Sequence, residues 1–336
     1  MLKKNMLKSL AIFFLLMFLM ACTSEEETPE ETVPEDVEQE ESVDEENSET
    51  EEEAEEEPVG REDGPGGFLW KVEDEDTTVY LQGTIHVAPR DLYPLHTKVE
   101  QAYEEADVVV PEIDMNNIDL GKAMELYTEL GEYQDGTTIQ DHISPELYSE
   151  LEATLSNYNI DPNMVKTYKP WYLSNTIQQL MVQELGYTYG VDQYFLNKAG
   201  LDGKEIVALE TMEEQLDVLA NAATEEYQVE MLEEMLVSTE TYQDDLDEML
   251  DIYREGDVEG LLGTMVTESE EGDEDAEAYL TALNDERNYN MADQIMTFLE
   301  EEEKTYFVIV GALHLTLEPH IGSILEENGY EVEHVH

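Results

Sequence analysis

The sequence predicts an α/β (α+β) fold, with a central mixed, largely parallel sheet, flanking helices and a helical insertion subdomain. Short apolar runs of strand type cluster in three places, at residues 68–113, 204–210 and 305–335. Between these clusters, apolar residues recur at the spacing of amphipathic helices. Strands separated by long helical blocks are typical of one α/β domain with insertions, not of two independent domains.

The first cluster predicts a hairpin, a helix and a buried strand. Phe68–Val72 and Thr77–Gln82 are rich in β-branched and aromatic residues, and they flank a short acidic turn. A helix is expected from about Pro94 to Ala106. Val108–Val110 is short and fully apolar, which is the pattern of a parallel strand covered on both faces.

Two helical insertions are predicted, at about 115–200 and 212–300, because both stretches place Leu, Met and Tyr at helical spacing. Lys204–Glu210, between them, is an apolar run that ends in an acid and predicts another strand. The C-terminal part predicts a strand, a helix and a last strand, at Thr305–Val310, Pro319–Asn328 and Tyr330–His334. The folded domain is therefore expected to occupy residues 64–336.

Residues 1–21 have the pattern of a secretory signal peptide. A lysine-containing start precedes the apolar run Leu10–Met20, which is shorter than the roughly 20 residues of a membrane span. The run ends in Leu19-Met20-Ala21-Cys22, the arrangement of a bacterial lipoprotein signal, so we predict lipidation, such as palmitate, at Cys22. The alternative is an ordinary signal peptide with an incidental cysteine. Because Cys22 is the only cysteine, a disulfide or a thiol site in the folded part is excluded.

Residues 22–63 are predicted to form a disordered acidic tether. From Glu25 to Asp63 the chain has 22 acidic residues, one basic residue and no aromatic residue. Such a segment buries too little apolar surface to offset its ordering entropy. We therefore expect a spacer that holds the folded domain away from the membrane.

The chain as a whole is strongly acidic, with a formal net charge of −69 at pH 7. A field of this sign disfavours nucleic acid and anionic lipid surfaces as partners, and it favours a cationic site or partner. The alternative explanation is adaptation to a salty or alkaline habitat, in which an acidic surface keeps a secreted protein soluble.

Two motifs of one type stand at opposite ends of the folded domain. Gly83-Thr-Ile-His86 closes one apolar run, and Gly311-Ala-Leu-His314 closes another. Glycine lets a strand turn sharply, and ligands bind beyond the carboxyl ends of strands in α/β sheets. Two histidines placed in this way predict one shared site.

Two acids occupy comparable positions, because Glu112 follows Val108–Val110 and Glu210 ends the next predicted strand. If the strands are mostly parallel, His86, His314 and both glutamates converge on one edge of the sheet. Two imidazoles and two carboxylates suit a divalent metal ion such as Mn, Co, Fe or Zn, which activates bound water. The alternative role for one of the glutamates is that of general base.

Arg287 is a further candidate, since it opens a predicted helix that leads to the last strands and the domain has few arginines. A guanidinium group can clamp a carboxylate or a developing oxyanion, although an i,i+4 pair with a nearby acid is an equally simple role. The other histidines have no partner pattern and are expected to be surface or structural residues, namely His96, His142, His320, His334 and His336.

The chain resembles the TraB/GumN family, which includes the TraB/PrgY pheromone-shutdown proteins and the Tiki metalloproteases. The matching residues are Gly83-Thr-Ile-His86, Val110-Pro-Glu112, Lys169-Pro-Trp171, Gly190-Val-Asp192, Leu209–Leu216, Arg287-Asn288, Met291-Ala292 and Gly311-Ala-Leu-His314. The resemblance implies metal-site roles for His86 and His314, with Glu112 and Glu210 as partners and Arg287 as a site residue. One departure is Leu313, where many bacterial members have glycine.

Together these features predict a divalent-metal-dependent hydrolase, of the peptidase type, that acts on a peptide or protein substrate. The lipoprotein signal places it at the extracytoplasmic face of the cell membrane, as in a Gram-positive bacterium, with a Gram-negative periplasm as the alternative. Two other functions stay open, namely a non-catalytic lipoprotein that sequesters a peptide or pheromone, and a metal-binding lipoprotein used for uptake.

Overall fold

The computed structural model of the protein describes residues 60–74, 76–265, 274–300 and 304–336. The predicted signal peptide, Cys22 and the predicted tether up to residue 59 lie outside the described residues. Gly60–Asp63, which the sequence assigns to the tether, lie against the domain, because the Arg61 amide donates to the Leu95 carbonyl oxygen at 3.0 Å. No helix within these ranges has the length and hydrophobicity to cross a bilayer.

The described strands form one mixed sheet in the order β4-β3-β5-β2-β1-β6. They are β1 (Leu69–Asp74), β2 (Thr77–Thr84), β3 (Val108–Pro111), β4 (Glu205–Ile206), β5 (Thr305–Gly311) and β6 (Val332–His334). The four strands from β4 to β2 run parallel to their neighbours, whereas β1 pairs antiparallel with both β2 and β6. The predicted fold class, with a largely parallel sheet, is confirmed.

Helices fill the connections between the strands. Before β4 the helices are α1 (Thr97–Glu105), α2 (Leu120–Gly131), α3 (Ile139–His142), α4 (Pro145–Asn157), α5 (Pro162–Val165), α6 (Pro170–Leu185) and α7 (Val191–Asp202). Between β4 and β5 they are α8 (Met212–Asn221), α9 (Glu225–Met235), α10 (Thr239–Glu255), α11 (Val258–Met265), α12 (Glu274–Leu280) and α13 (Glu286–Leu299). After β5 come α14 (Leu313–Thr316) and α15 (Ile321–Glu327). A 3-10 turn lies at Arg90–Leu92, and a π-helical turn at Thr281–Asp285 joins α12 to α13.

The core lies on both faces of the sheet, as the unbroken apolar strands require. Along β5, Tyr306, Val308 and Val310 belong to one cluster of buried side chains, whereas Phe307 and Ile309 belong to the other. Successive side chains of a strand point to opposite faces, so β5 is covered on both sides. This central strand therefore has little freedom to shift, and the residues that follow it are held firmly.

The parallel register brings the ends of three strands to one edge of the sheet. Thr84 of β2 pairs with Gly311 of β5, and Pro111 of β3 pairs with Ile309. His86, Glu112 and His314 follow these strand ends directly, so the residues of the two Gly-x-x-His motifs and the acid after β3 meet at the same edge.

The predicted strand over Lys204–Glu210 is shorter in the structure, where β4 contains only Glu205 and Ile206. The reason is that β4 is the outermost strand of the sheet, and an outermost strand has a neighbour on one side only. The chain nevertheless continues beside β3, because the Glu210 amide donates to the Glu112 carbonyl oxygen at 2.8 Å. This contact carries Glu210 to the edge where the other predicted site residues lie.

His142 has a structural role, which is one of the two roles that the sequence left open for it. Its ring stacks on Tyr133 at a centroid distance of 3.9 Å, and its Nδ1 lies 2.9 Å from a carboxylate oxygen of Glu225. His142 thus joins α3 to the start of α9, away from the strand edge that carries the other two histidines.

Candidate active site

Gly311 marks the centre of the site, because the space that a side chain would occupy there is bordered by three predicted site residues. A Cβ atom built on Gly311 would lie 3.4 Å from Glu112 Oε1, 3.6 Å from His314 Cδ2 and 4.0 Å from His86 Nε2. All three groups therefore border one small space at the sheet edge. The absence of a side chain at residue 311 is what leaves this space open.

The two glycine turns lie against each other through their backbones. The Ala312 amide donates to the Thr84 carbonyl oxygen at 2.9 Å, and a Cβ on Gly83 would lie only 3.1 Å from the Ala312 Cα. The buried hydroxyl of Tyr253 also donates to the Gly83 carbonyl oxygen, at 2.8 Å. Glycine at residue 83 thus permits this close approach, and the approach sets the spacing of the two histidines.

His86 is oriented by the helix that begins beside it. Its Nδ1 lies 3.1 Å from Asp192 Oδ1, in the first turn of α7. Gly190, just before that helix, lies against the His86 carbonyl group so closely that a Cβ could not be accommodated. An ionised carboxylate can only accept, so Nδ1 carries the proton and Nε2 faces the shared space.

His314 is held in the same way by a different partner. Its Nδ1 lies 2.6 Å from Asn288 Oδ1, on α13, and its side chain is buried. The Asn288 Nδ2 group donates to the Pro319 carbonyl oxygen at 2.7 Å, which identifies the atom facing His314 as the amide oxygen. His314 therefore also carries its proton on Nδ1, and its Nε2 lies 3.7 Å from Glu112 Oε1.

Arg287 joins the two glutamates in a buried ionic network. Its Nε and Nη2 groups donate to the two carboxylate oxygens of Glu210 at 2.8 and 2.6 Å, and Nη2 also donates to Glu112 Oε2 at 2.7 Å. Gln215 Nε2 bridges the same carboxylates, at 2.8 Å from Glu112 and 3.0 Å from Glu210. The remaining Glu112 oxygen accepts from the Gly311 amide at 2.6 Å.

The charges of the site shift its pKa values in opposite directions. Burial opposes ionisation of Glu112, but Arg287 and the nearby histidines outweigh it and hold the pKa of Glu112 well below its usual range. Burial and the charge of Arg287 lower the pKa of His314 to about 3. Burial also disfavours the cationic form of His86, yet Asp192 and Glu112 raise its pKa to about 9.

The structure brings all five predicted site residues of the domain together, but only three of them border the shared space. His86, Glu112 and His314 border the shared space, whereas Glu210 reaches it only through Arg287 and Gln215. Within the described ranges, no three His, Cys, Asp or Glu side chains are grouped in a way that could hold a metal ion. Cys22, the predicted lipidation site, lies outside those ranges.

Several residues of the site were not predicted from the sequence. Asn288 and Gln215 are absent from the predicted set, and Asp192 was expected only to cap or orient. A signal existed, because each of the three lies within a motif that matches the TraB/GumN family. Their partners are distant in sequence, however, so the motifs alone did not indicate what they contact.

Comparison with known proteins supports the resemblance. The model of the TraB/PrgY/gumN family matches residues 68–334. The chain is 26% identical over 323 residues to a protein named Metalloprotease TIKI homolog from Nematostella vectensis, covering 80% of this chain and 67% of that protein. It is also 26% identical over 316 residues to Metalloprotease TIKI1 from Danio rerio, covering 80% of this chain and 63% of that protein.

A bacterial relative matches over a shorter stretch. The chain is 26% identical over 142 residues to the uncharacterized protein YbaP from Escherichia coli, covering 42% of this chain and 51% of YbaP. The match thus spans about half the length of that relative. No solved structure gave a significant match.

Proposed function

The chain belongs to the TraB/PrgY/gumN family, and we propose that it is a divalent-metal-dependent hydrolase that cleaves peptides. One observation carries the proposal. His86 and His314 each have Nδ1 engaged by a partner, and each turns Nε2 toward the space beside Glu112. Histidines that bind metals in proteins are oriented in this way, by a hydrogen bond from the second ring nitrogen.

The donor types suit such an ion by their chemistry, although the described side chains are not grouped as closely as metal ligands are. Two imidazole nitrogens and a carboxylate oxygen are ligands that Mn, Co, Fe and Zn accept. The three carboxylates of Glu112, Asp192 and Glu210 outnumber the positive charges of Arg287 and of His86, whose pKa is raised, so the site attracts a cation. When bound, the ion would polarise a carbonyl group and lower the pKa of water.

The two glutamates have different roles in this proposal. Glu112 stays ionised beside the shared space, where its Oε1 can accept a hydrogen bond from a water molecule and orient that molecule toward a peptide carbonyl. Both oxygens of Glu210 accept from Arg287, so Glu210 positions the guanidinium group and does not itself face substrate. Arg287 in turn fixes the orientation of Glu112.

The proposed location is the extracytoplasmic face of the cell membrane, through lipid attached to Cys22. It is supported by the lipoprotein signal in the sequence and by the acidic segment that follows it. A domain on such a tether would meet peptides at the cell surface.

The test is metal content together with peptide cleavage by the full-length mature chain. We expect the purified protein to retain Mn, Co, Fe or Zn in elemental analysis, and to cleave peptides of a random pool only when the metal is present. H86A and H314A should abolish both properties, whereas H142A, a histidine outside the site, should retain both. Metal-free wild-type protein, or cleavage unaffected by a chelator, would contradict the proposal.

Two further variants separate the glutamates. E112Q should lower kcat by about 10²–10⁴-fold, the usual contribution of a proton-transfer or water-orienting group. E210Q should loosen Arg287 and lower activity less, with metal content unchanged. If E210Q lowers kcat more than E112Q does, the roles of the two glutamates are reversed.

One observation favours a second function, that of a non-catalytic peptide-binding protein. Arg287 occupies both oxygens of Glu210 and one oxygen of Glu112, an arrangement that also suits a fixed binding site. Tight binding of a peptide without turnover, with any added metal, would support this second function.

A further inference from the structure

A cavity of about 260 Å³ adjoins the candidate active site. It lies between the loop that follows β3, the start of α2 and the start of α8. Glu210 is one of its lining residues, and the Glu210 carboxylate accepts from Arg287 at 2.6 Å. The cavity therefore lies next to the ionic network that supports the candidate active site.

The wall of this cavity is largely apolar. Its lining residues include Ile113, Ile118, Leu126, Ala208 and Met212. Ligand pockets that hold a whole drug-sized molecule have volumes of roughly 300–1,000 Å³. A cavity slightly below that range, and apolar along its wall, suits one long side chain of a substrate.

The charged groups of the cavity are almost all acidic. Lys122 is the one cation among its lining residues, and it pairs with Asp119 at 3.5 Å. Among the described residues, the Asp114 carboxylate accepts one hydrogen bond, from the Asn116 amide at 3.1 Å. The carboxylate of Glu213 has no ion pair or hydrogen bond among the residues that the structure describes, and Glu213 lines the cavity. Two carboxylates are thus left available at a cavity with an apolar wall.

We propose that this cavity is a substrate subsite for a lysine or arginine side chain, an inference that rests on the proposed peptidase function. The long hydrocarbon stem of such a side chain lies against apolar surface while its charged end reaches polar groups. Here the stem would contact Ile113 and Met212, and the cation would meet Asp114 and Glu213. The formal net charge of −69 also favours the approach of cationic peptides.

The experiment compares matched peptides on the full-length mature chain. Fluorescein-labelled Gly/Ala peptides carry a single Lys, norleucine or Glu, placed at each position in turn. Norleucine matches the lysine stem but lacks its charge. We expect the best Lys peptide to exceed its norleucine counterpart by at least about tenfold in kcat/KM and in affinity measured by fluorescence anisotropy. The Glu peptide should be the poorest of the three.

Variants of the lining residues test whether the preference for Lys over norleucine arises from the cavity. D114N with E213Q should bring the Lys-to-norleucine ratio close to one, since D114N keeps an oxygen for the Asn116 amide and both changes remove only charge. A208L should fill the cavity and weaken both long side chains relative to alanine. E146Q, on the exposed surface of α4, is the matched control and should leave the ratio unchanged.

The outcomes separate the two proposals. If peptides are cleaved but Lys and norleucine peptides are equivalent, the subsite is wrong while the hydrolase stands. If no peptide is cleaved, the anisotropy comparison still decides whether the cavity selects a cation. A Lys preference that survives in the D114N/E213Q double variant also overturns the assignment.

Discussion

At the residue scale, the site contains two histidines of the same orientation but of opposite electrostatic character. The carboxylate of Asp192 raises the pKa of His86 to about 9 against the effect of burial, whereas burial and the charge of Arg287 lower that of His314 to about 3. His314 is bonded to a neutral amide, so nothing beside its Nδ1 favours a positive charge. One partner is thus an acid and the other an amide, and this difference sets how readily each ring accepts a proton.

The partners of the two histidines should matter almost as much as the histidines themselves. N288A and D192N each remove or weaken the hydrogen bond that fixes the ring, so we expect metal affinity to fall by about 10–100-fold. The measurement is competition with a chelating indicator. N221A removes an exposed asparagine bonded to Asp217 at 2.8 Å and should leave affinity unchanged. Equal affinities for all of these variants would show that the rings need no orientation.

At the element scale, α7 reaches the site because its first turn lies against the end of β2. The Val191 amide donates to the Ile85 carbonyl oxygen at 2.9 Å, and Gly190 lies against the His86 carbonyl group. This contact places Asp192 beside the His86 ring. The N-terminal end of α7 therefore contacts the site through its backbone.

A pair of glycine substitutions tests this contact. In G190A the new Cβ would collide with backbone atoms of His86, so we expect a loss of about 1–3 kcal/mol in the free energy of unfolding, typical of overpacking. Metal affinity should fall as well, because Asp192 moves with the helix.

G200A is the matched control on the same helix. Its Cβ would meet only Asn116 Nδ2, at 3.7 Å, which is an ordinary contact. We expect G200A to be neutral or stabilising by about 0.5–1 kcal/mol. Chemical denaturation measures both variants, and a G190A protein as stable as G200A would show that α7 can shift freely.

The C-terminal residues form a second element-scale contact, far in sequence from the residues that they touch. The His336 ring stacks on His96 at a centroid distance of 3.6 Å, beside the strand pair β1 and β6. Burial is the largest cause that lowers the pKa of His336 to about 4, and the charges of His96, Lys98 and His334 act in the same direction. The folded protein therefore favours the neutral ring at residue 336.

This pKa predicts part of the acid sensitivity of the fold. The unfolded chain binds a proton at His336 near pH 6.5, whereas the folded chain binds it only near pH 4. The contribution to stability is thus complete above about pH 6.5 and is lost as the pH falls toward 4. H336F keeps an aromatic ring without the proton, so its melting temperature should fall less between pH 7 and pH 4.5 than that of the wild type. Parallel pH profiles of the two proteins would refute this reading.

At the scale of the whole molecule, the chain combines a predicted lipid anchor, a predicted acidic tether and a folded α/β domain. Its formal net charge of −69 repels anionic lipid headgroups. A covalent anchor and a long spacer are a consistent way to keep such a domain near a membrane. The domain would then stand away from the surface, with its site accessible to soluble peptides.

The anchor is testable in cells. C22A should prevent incorporation of labelled palmitate, and the protein should be released into the medium or remain unprocessed. The physical reason is that each buried methylene group of a lipid chain contributes about 0.8 kcal/mol to membrane binding. The S24A variant, two residues further on, is the control and should be labelled like the wild type. If the wild-type protein incorporates no label, Cys22 is not lipidated and the predicted anchor is wrong.

Much of the fold was predictable from the sequence because it depends on local patterns. The alternation of side chains across β5 and the short apolar run of β3 indicate buried parallel strands wherever they occur. The glycine before each histidine indicates a turn at a strand end. Since parallel strands end at the same edge, the meeting of His86, Glu112 and His314 also followed from the sequence.

Tertiary structure alone decided how these residues are supported and which of them face the shared space. Arg287 contacts Glu112 across 175 residues of sequence and Glu210 across 77, and Asp192 reaches His86 across 106. Such contacts depend on the angles at which α7 and α13 pack against the sheet. The spacing of apolar residues along the sequence does not indicate these angles. The sequence therefore determined, through short-range backbone chemistry, which strand ends carry the two histidines. The ionic network and the cavity beside it depend on the packing of helices that are distant in sequence.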